Sequence, residues 1–293
     1  MNLKTYLAER KELVDIELRR LLKDDYIPLK LQKAMMYSLE AGGKRIRPIL
    51  VIAGAEAVGG TAHDVMDIAC ALEVIHTFSL IHDDLPAMDD DDLRRGKPTN
   101  HKVFGEATAI LAGDALLAEA FYMLARSAKA KESIRMLEVI SDIAKASGAR
   151  GMTGGQQIDM DSGGKKIGEG ELTNLHKLKT GELIIVASTS GAKYLGADEK
   201  QVNALKIYGE AIGLAFQIAD DILDIEGDEK EIGKDVGSDV GNDKATFPSI
   251  IGLEESRASA KKLIGDAMVA LNVFDEKADP LREIGRYIIE RRS

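Results

Sequence analysis

The stretch HTFSLIHDDLPAMDDDDLRRGKPTNH occupies residues 76–101. Its apolar first part leads into six aspartates within the ten positions 83–92, and two arginines follow. A single run of like charges is as typical of a solvated surface loop as of a binding site. A second acidic cluster, FQIADDILDIEGD at 216–228, also follows an apolar run directly. Two clusters placed in this way favour a site for cations over two exposed loops.

Helical periodicity extends outward from both clusters. Apolar residues recur at spacings of three, four and seven over 3–22, with charges between them, which predicts an amphipathic helix. Similar patterns predict helices over 29–40, 44–58, 63–82, 105–128, 131–148, 171–195, 198–224, 247–270 and 279–292. The few strand-like apolar runs are short and lie inside helical windows. The sequence therefore predicts an all-α fold.

The length of 293 residues permits one large domain or two average ones. Gly- and Asp-rich stretches at 151–170 and 226–244 predict loops. Neither stretch has the Pro- and Ser-rich composition of an interdomain linker. We therefore expect residues 1–293 to form a single domain of about ten or more helices.

Composition limits the partners and the compartment. With 39 Lys and Arg against 49 Asp and Glu, the net charge of −10 disfavours non-specific binding to nucleic acid. The single cysteine, Cys70, cannot form an intrachain disulfide and fits a reducing compartment. The N-terminus is charged, unlike a signal peptide, and no apolar stretch approaches the roughly 20 residues of a membrane span. These features predict a cytoplasmic protein with no membrane span and no nucleic-acid partner.

The acidic clusters have the composition of a magnesium site. Asp220 and Asp224 are four residues apart, so both carboxylates project from one helix face, where they destabilise the helix unless a cation binds. Asp83 and Asp89 are six apart and would diverge on a regular helix, but Pro86 predicts an end or a kink that lets them converge. Carboxylates without His or Cys partners suit a hard cation such as Mg²⁺.

Basic residues occur where a phosphate site would need them. Arginine matches phosphate oxygens with two donors, and lysine acts as a point charge. Each basic group alone is more typical of a solvated surface, but together with the two clusters they indicate two anionic ligands. His76 lies two helical turns before Asp83 and points the same way. The basic groups with their companion threonine are Arg94 and Arg95; Lys44, Arg45 and Arg47 in GGKRIRP; and Lys177, Lys179 and Thr180 in HKLKTGE.

Together these motifs resemble the trans-isoprenyl diphosphate synthases, the polyprenyl synthetase family, from GGKRIRP at 42–48 to GKDVGSDVGNDKATFP at 233–248. The resemblance implies the all-α isoprenoid synthase fold around a deep central cavity, in a homodimer, with the aspartate motifs facing each other across its mouth. It also implies Mg²⁺, three ions per active site with substrate bound. The implied metal residues are Asp83, Asp84, Asp89, Asp220, Asp221 and Asp224.

The resemblance further implies two substrates and a reaction. An allylic substrate, dimethylallyl or geranyl diphosphate, would ionise to a carbocation, which the double bond of isopentenyl diphosphate attacks. The expected catalytic residues are Asp83, Asp220, Lys179 and Thr180. The allylic diphosphate would be held by Arg94, Lys179, Thr180, Gln217 and Lys234. The diphosphate of isopentenyl diphosphate would be held by Lys44, Arg47, His76 and Arg95.

Product length in this family depends on side chains shortly before the first aspartate motif, where this chain has Phe78 and Ser79. At helical spacing Phe78 shares a face with His82, and its ring would form a floor below the growing product. This arrangement resembles bacterial farnesyl diphosphate synthases. Two alternatives stay open: a geranylgeranyl diphosphate synthase and a non-catalytic helical partner subunit. A terpene cyclase would not need the second diphosphate site, so Lys44, Arg47 and Arg95 argue against it.

Overall fold

The computed structural model describes residues 1–127, 134–226 and 245–290. Over these ranges the chain forms fourteen α-helices and one short hairpin, which confirms the predicted all-α class. The helices are α1 (Leu3–Leu21), α2 (Leu29–Leu39), α3 (Ile46–Ala57), α4 (Ala62–Asp83), α5 (Asn100–Phe104), α6 (Glu106–Arg126), α7 (Ile134–Ser147), α8 (Met152–Ser162), α9 (Glu169–His176), α10 (Glu182–Leu195), α11 (Glu199–Glu226), α12 (Phe247–Ile251), α13 (Leu253–Ala270) and α14 (Asp279–Glu290). The antiparallel hairpin pairs β1 (Leu93–Arg94) with β2 (Lys97–Pro98).

Helices α3, α4 and α10 form the centre of the fold. On α10 every residue from Leu183 to Ala192 is buried, so this helix is covered on all sides. Two glycines set the spacing between α3 and α10. A Cβ on Gly54 would lie 2.5 Å from the Ser188 carbonyl oxygen, and one on Gly191 would lie 2.3 Å from that of Val51. Larger residues at these positions would force the two helices apart.

Two groups of buried apolar side chains stabilise the assembly. The larger one extends from Tyr6 on α1 to Ile288 on α14 and includes most of the central helices. The smaller one contains Leu172, Ile218 and Phe247, where α9, α11, α12 and α13 meet. Because Ile218 and Ile222 flank Asp220 and Asp221 in sequence, this smaller group packs against the segment of α11 that carries the second aspartate motif.

Two helices are long and apolar enough to cross a membrane by length and composition alone: α4 and α6. This was not foreseen from the sequence. Over an apolar stretch of 18 residues in each helix, 61% of α4 and 39% of α6 is buried inside the protein. Core helices of globular proteins have the same composition, and α4 packs between α3 and α6. The absence of a membrane span stays a prediction.

The prediction of a loop over 151–170 is wrong in its first part, because Met152–Ser162 forms α8. Its glycines serve helix packing. A Cβ on Gly155 would lie 2.2 Å from the amide nitrogen of Lys179, so only glycine permits this close contact. The predicted loop at 226–244 falls, after Glu226, outside the described residues.

Two predicted helices are interrupted. The predicted helix over 171–195 contains a π-helical turn, Lys177–Gly181, between α9 and α10. The predicted helix over 247–270 is divided at Gly252, whose φ of +89° ends α12 and precedes α13. The first interruption contains Lys179 and Thr180, which were assigned to the site.

Candidate active site

Helix α4 carries the first aspartate motif and ends at Asp83. The chain then turns through Pro86, and the amide of Asp89 donates to the carbonyl oxygen of Asp83 at 2.9 Å. Asp90 completes the turn with a left-handed φ of 51° and donates its amide to Leu85. The helix thus ends where Pro86 predicts, and the chain returns Asp89 to the side of Asp83.

The Asp83 carboxyl lies in a crowded electrostatic environment. Burial raises its pKa to about 6; Lys179 and Arg94 oppose that rise, and the Asp89 and Asp84 carboxylates add to it. Two carboxylates that disfavour each other's ionisation are stabilised by a cation placed between them. The first motif therefore combines closely spaced oxygen donors with a surplus of negative charge.

The other aspartates of this stretch form ion pairs. Asp84 is buried and accepts a hydrogen bond from Arg94 Nε at 2.6 Å; burial raises its pKa, while the arginine lowers it. Asp91 lies 3.3 Å from Arg94, and Asp92 pairs with Lys102 at 2.6 Å. Arg94, which was predicted to bind phosphate, is thus held by the carboxylates of Asp84 and Asp91. Asp84, which was predicted to bind metal, pairs with an arginine.

The GGKRIRP segment separates its basic residues. Arg45 adopts a left-handed φ of 53° and is buried, with its guanidinium 2.6 Å from Glu73 and 2.8 Å from Asp15. The interpretation of Arg45 as part of a phosphate-binding group is therefore wrong, because its charge is neutralised in the core. Lys44 is exposed, and Arg47 lies in the first turn of α3, near Asp220 of the second aspartate motif.

Arg47, Arg95 and His76 form a second group of cationic or polar side chains. Burial lowers the pKa of both arginines, and Arg95 lowers that of Arg47 further. Burial and the two arginines hold the pKa of His76 well below its usual range, so its imidazole is neutral. Within the described part of the chain, the buried Nε of Arg47 has no hydrogen-bond partner. Three of the four residues predicted for isopentenyl diphosphate thus lie together.

The β-hairpin positions Arg95. Arg95 and Gly96 have φ values of 54° and 74°, the two left-handed positions of a type I′ turn. The Arg95 guanidinium donates to the Gly42 carbonyl oxygen and lies against Gly43, so the turn after α2 and the hairpin are joined at this side chain. Arg45, Asp90 and Arg95 are the non-glycine residues of the described ranges with positive φ, and all three lie in the predicted site segments.

Lys179 and Thr180 lie on the π-helical turn between α9 and α10. The amide of Glu182 donates to the carbonyl of Lys177, five residues earlier, which gives the turn its wider ring. The Lys179 ammonium forms an ion pair with Asp159 of α8, and Thr180 is buried. Asp159 was not assigned from the sequence, although it ends the GGQQID motif at 154–159 that contributed to the resemblance.

The second aspartate motif lies near the end of α11. Asp220 is close enough to Arg47 to oppose the lowering of the arginine's pKa by burial. Asp221 is buried and accepts the backbone N–H of Phe247 at 2.8 Å, which anchors the start of α12. Asp224 follows one turn later and is half-buried. Asp221, predicted to support the metal, therefore also has a structural role.

A cavity of about 340 Å³ joins the two motifs. Asp89 lines it from the first motif, Asp221 and Gln217 line it from α11, and Lys179 lines it from the π-helical turn. Its apolar lining includes Met88, Ile167, Leu172 and Leu175. His176 and Thr246 are further polar residues of the lining. Lys234, the remaining residue predicted for the allylic diphosphate, lies outside the described residues.

Phe78 and Ser79 lie on α4 before the first motif. The Phe78 ring meets the His82 imidazole edge to face, with 5.2 Å between ring centroids, as their shared helix face predicts. His82 Nε2 is 3.0 Å from the Ile110 carbonyl oxygen of α6, so α6 supports this pair. Ser79 donates its hydroxyl to the His76 carbonyl oxygen at 2.9 Å.

The donor set fits a magnesium ion that completes its coordination with substrate. In the described ranges no three His, Cys, Asp or Glu side chains are arranged to hold a metal ion on their own. Mg²⁺ commonly binds through one or two carboxylates together with water and substrate phosphates. Asp83 and Asp89 of the first motif and Asp220 of the second would supply such donors.

Comparison with known proteins agrees with these motifs. Residues 28–279 match the family model described as polyprenyl synthetase. A geranylgeranyl diphosphate synthase from Cyanophora paradoxa is 48% identical, over 99% of this chain and 97% of the relative. A farnesyl diphosphate synthase from Bacillus subtilis is 44% identical, over 94% of this chain and 96% of the relative. The crystal structure of an FPP/GFPP synthase from Zymomonas mobilis superimposes with a TM-score of 0.88 at 40% identity. The match covers 98% of this chain and 99% of that structure. The chain therefore belongs to the polyprenyl synthetase family.

Proposed function

We propose that this protein is a magnesium-dependent farnesyl diphosphate synthase. It condenses isopentenyl diphosphate head to tail with dimethylallyl or geranyl diphosphate and releases diphosphate. The observation that supports this best is the cavity lined jointly by Asp89, Asp221, Lys179 and Gln217, with the Arg47, His76 and Arg95 group nearby. One site for two diphosphates distinguishes prenyl transfer from cyclisation, which uses a single diphosphate.

The chain's own residues account for the steps. Bound Mg²⁺, held by Asp83, Asp89 and Asp220, would neutralise charge that grows on the departing diphosphate. The Lys179 ammonium and the Gln217 amide donate to the same diphosphate as the allylic C–O bond breaks. Lys44, Arg47, His76 and Arg95 hold isopentenyl diphosphate so that its double bond attacks the cation and a C–C bond forms. The released diphosphate accepts the proton, so no protein nucleophile is required.

We assign stabilisation of the developing cation to the Thr180 side chain and the backbone of its turn. On the π-helical turn, Lys179 and Thr180 have orientations that differ from those in a regular α-helix. Asp159 pairs with Lys179 and thereby fixes the direction of its ammonium group. This turn therefore combines binding of the leaving group with stabilisation of positive charge.

Phe78 favours a farnesyl product over a geranylgeranyl product. Relatives named for each product match this chain at similar identity, so overall similarity does not separate them. The ring of Phe78 is held against His82, and His82 in turn lies against α6 at Gly113. A ring supported from behind resists displacement by a growing chain and would stop elongation at three isoprene units.

We further propose that the protein is a single-domain cytoplasmic homodimer. Helices α6 and α7 present large apolar side chains to solvent, and exposed apolar surface of this kind marks an interface. A second copy of the chain would cover the same surface on its partner, as a two-fold dimer requires. The exposed residues are Ile110, Leu111, Tyr122, Ile134 and Leu137.

The decisive experiment supplies the purified protein with isopentenyl diphosphate and either allylic diphosphate, with and without Mg²⁺, and sizes the products. We expect a dominant three-unit product that requires the metal. Absence of elongation with Mg²⁺ present would refute the proposed activity. A dominant four-unit product would leave prenyl transfer in place and refute the role of Phe78. Light scattering of the wild type and of Leu111→Asp tests the dimer.

A further inference from the structure

His176 is a buried polar residue of the cavity to which the mechanism above assigns no role. It is the last residue of α9, three positions before Lys179, and its side chain is 8% exposed. It lines the cavity together with Lys179, Gln217 and Asp221. Across the ranges that the structure describes, neither of its ring nitrogens has a hydrogen-bond partner.

An imidazole without partners inside a cavity indicates a ligand. A neutral imidazole has one N–H donor and one acceptor nitrogen, and buried groups of this kind are nearly always hydrogen-bonded in folded proteins. Burial, together with the Lys179 ammonium, lowers the pKa of His176 to about 4, although Asp159 opposes this shift. The ring is therefore neutral, with its N–H available as a donor.

The chemistry of the cavity selects the type of ligand. Diphosphate oxygens only accept hydrogen bonds, and Lys179 and Gln217 supply donors to the same cavity. A role for His176 as a magnesium ligand is disfavoured, because Mg²⁺ prefers oxygen donors. The N–H of His176 therefore matches a diphosphate oxygen better than it matches the metal.

The ring plane of His176 is fixed from the other side. The Phe247 ring stacks on it with 5.8 Å between centroids and 25° between planes. Asp221 accepts the amide of Phe247 and so holds this ring in place. Aromatic stacking on α12 thus holds the ring and, in the described residues, leaves both of its nitrogens without a partner.

We propose that His176 binds the diphosphate of the allylic substrate by donating a hydrogen bond from its imidazole. This inference rests on the proposed function, because it places that substrate in the cavity. It adds a neutral donor to the charged groups, so that the site gains affinity for diphosphate without gaining a positive charge.

Two substitutions separate the contributions. His176→Phe keeps an aromatic ring for stacking and removes the N–H, whereas His176→Gln keeps an N–H donor and removes the aromatic ring. Binding of inorganic diphosphate in the presence of Mg²⁺, measured by calorimetry, is the readout, because it does not depend on turnover. His63→Gln, at the exposed start of α4, is the matched control.

We expect His176→Phe to weaken diphosphate binding about 10- to 100-fold, the range for a hydrogen bond to a charged group. His176→Gln should retain most of the affinity, and His63→Gln should match the wild type. In kinetics, KM for the allylic diphosphate should rise in His176→Phe while KM for isopentenyl diphosphate stays unchanged.

Wild-type affinity in His176→Phe, or weaker binding by His176→Gln than by His176→Phe, would overturn the proposal in favour of a stacking role. If His176→Phe does not fold, the comparison of His176→Gln with His176→Ala decides, and equal affinities of these two count against it. A wild type that binds diphosphate and makes no prenyl product would refute the proposed function, while the comparison of affinities would still decide the role of His176.

Discussion

The amide of Asp89 donates to the carbonyl oxygen of Asp83 at 2.9 Å, although Asp89 lies six positions later in the sequence. The contact is made by the backbone, so either carboxylate can be replaced without loss of the hydrogen bond that closes the turn. Substitutions at these positions therefore test the charge and the oxygen donors, and they leave the path of the chain intact.

Replacement of Asp83 or Asp89 by alanine should lower kcat by at least about a hundredfold, because the charge on the departing diphosphate loses several kcal/mol of stabilisation. Steady-state kinetics with saturating Mg²⁺ measures this. Asp92→Ala is the control, since Asp92 belongs to the same acidic run and pairs with the exposed Lys102. A near-normal kcat in Asp83→Ala would contradict the assignment.

Asp83→Asn should make the metal-free protein more stable near neutral pH. The folded state keeps a proton on Asp83 up to about pH 6, whereas the unfolded chain releases it near its ordinary pKa of 3.8. The folded state therefore binds more protons between these values, and the free energy of unfolding falls by about 3 kcal/mol as pH rises through them.

Asparagine does not ionise, so the stabilisation should be larger at about pH 7.5 than at about pH 5. Urea unfolding at both pH values measures it. Asp92→Asn is the control: Lys102 lowers the pKa of Asp92, so Asp92 is ionised at both pH values and this substitution should change stability equally at the two. A difference between wild type and Asp83→Asn that is the same at both pH values would show that burial of Asp83 does not govern its ionisation.

Phe78→Ala should lengthen the product beyond three isoprene units. Removal of the ring opens the space in front of His82, and each further unit then gains apolar contact. Chromatography of dephosphorylated products gives the chain lengths. Phe104→Ala removes a ring that packs on Tyr37 instead, and its product should be that of the wild type. An unchanged product from Phe78→Ala would place the floor elsewhere.

Arg45→Met should destabilise the fold by about 3–5 kcal/mol, because it leaves the buried Glu73 carboxylate without its cation. Chemical denaturation measures the loss. The matched change Arg20→Met breaks an ion pair whose arginine is exposed, and it should cost less than about 1 kcal/mol. Equal effects of the two substitutions would mean that the buried Arg45 pair contributes no more to stability than an exposed ion pair.

Much of the site could be predicted because its chemistry is local in sequence. Pro86 within the first motif predicts the end of α4, and the spacing of Phe78 and His82 predicts their contact, which is present at 5.2 Å. Apolar periodicity finds the helices for the same reason, since each helix presents a regular face to the core.

The errors arise where a residue's role depends on distant neighbours. Gly154 and Gly155 suggest a loop by composition, yet Gly155 allows α8 to contact Lys179. Arg45 belongs to a basic run, but its partners are Asp15, 30 residues before it, and Glu73, 28 residues after it. The importance of His176 and Asp159 could not be predicted either, because the cavity and the ion pair exist only after α8, α9 and α11 assemble.

The π-helical turn at Lys177–Gly181 sets the rotational phase between α9 and α10. A regular α-helix advances about 100° per residue, so deletion of one residue such as Leu178 would bring the two helices into one continuous register. Lys179 and Thr180 would then swing by about this angle relative to one of their two flanking helices. The direction of the catalytic side chains is thus encoded in the number of residues in the turn, a quantity that no single side-chain substitution alters.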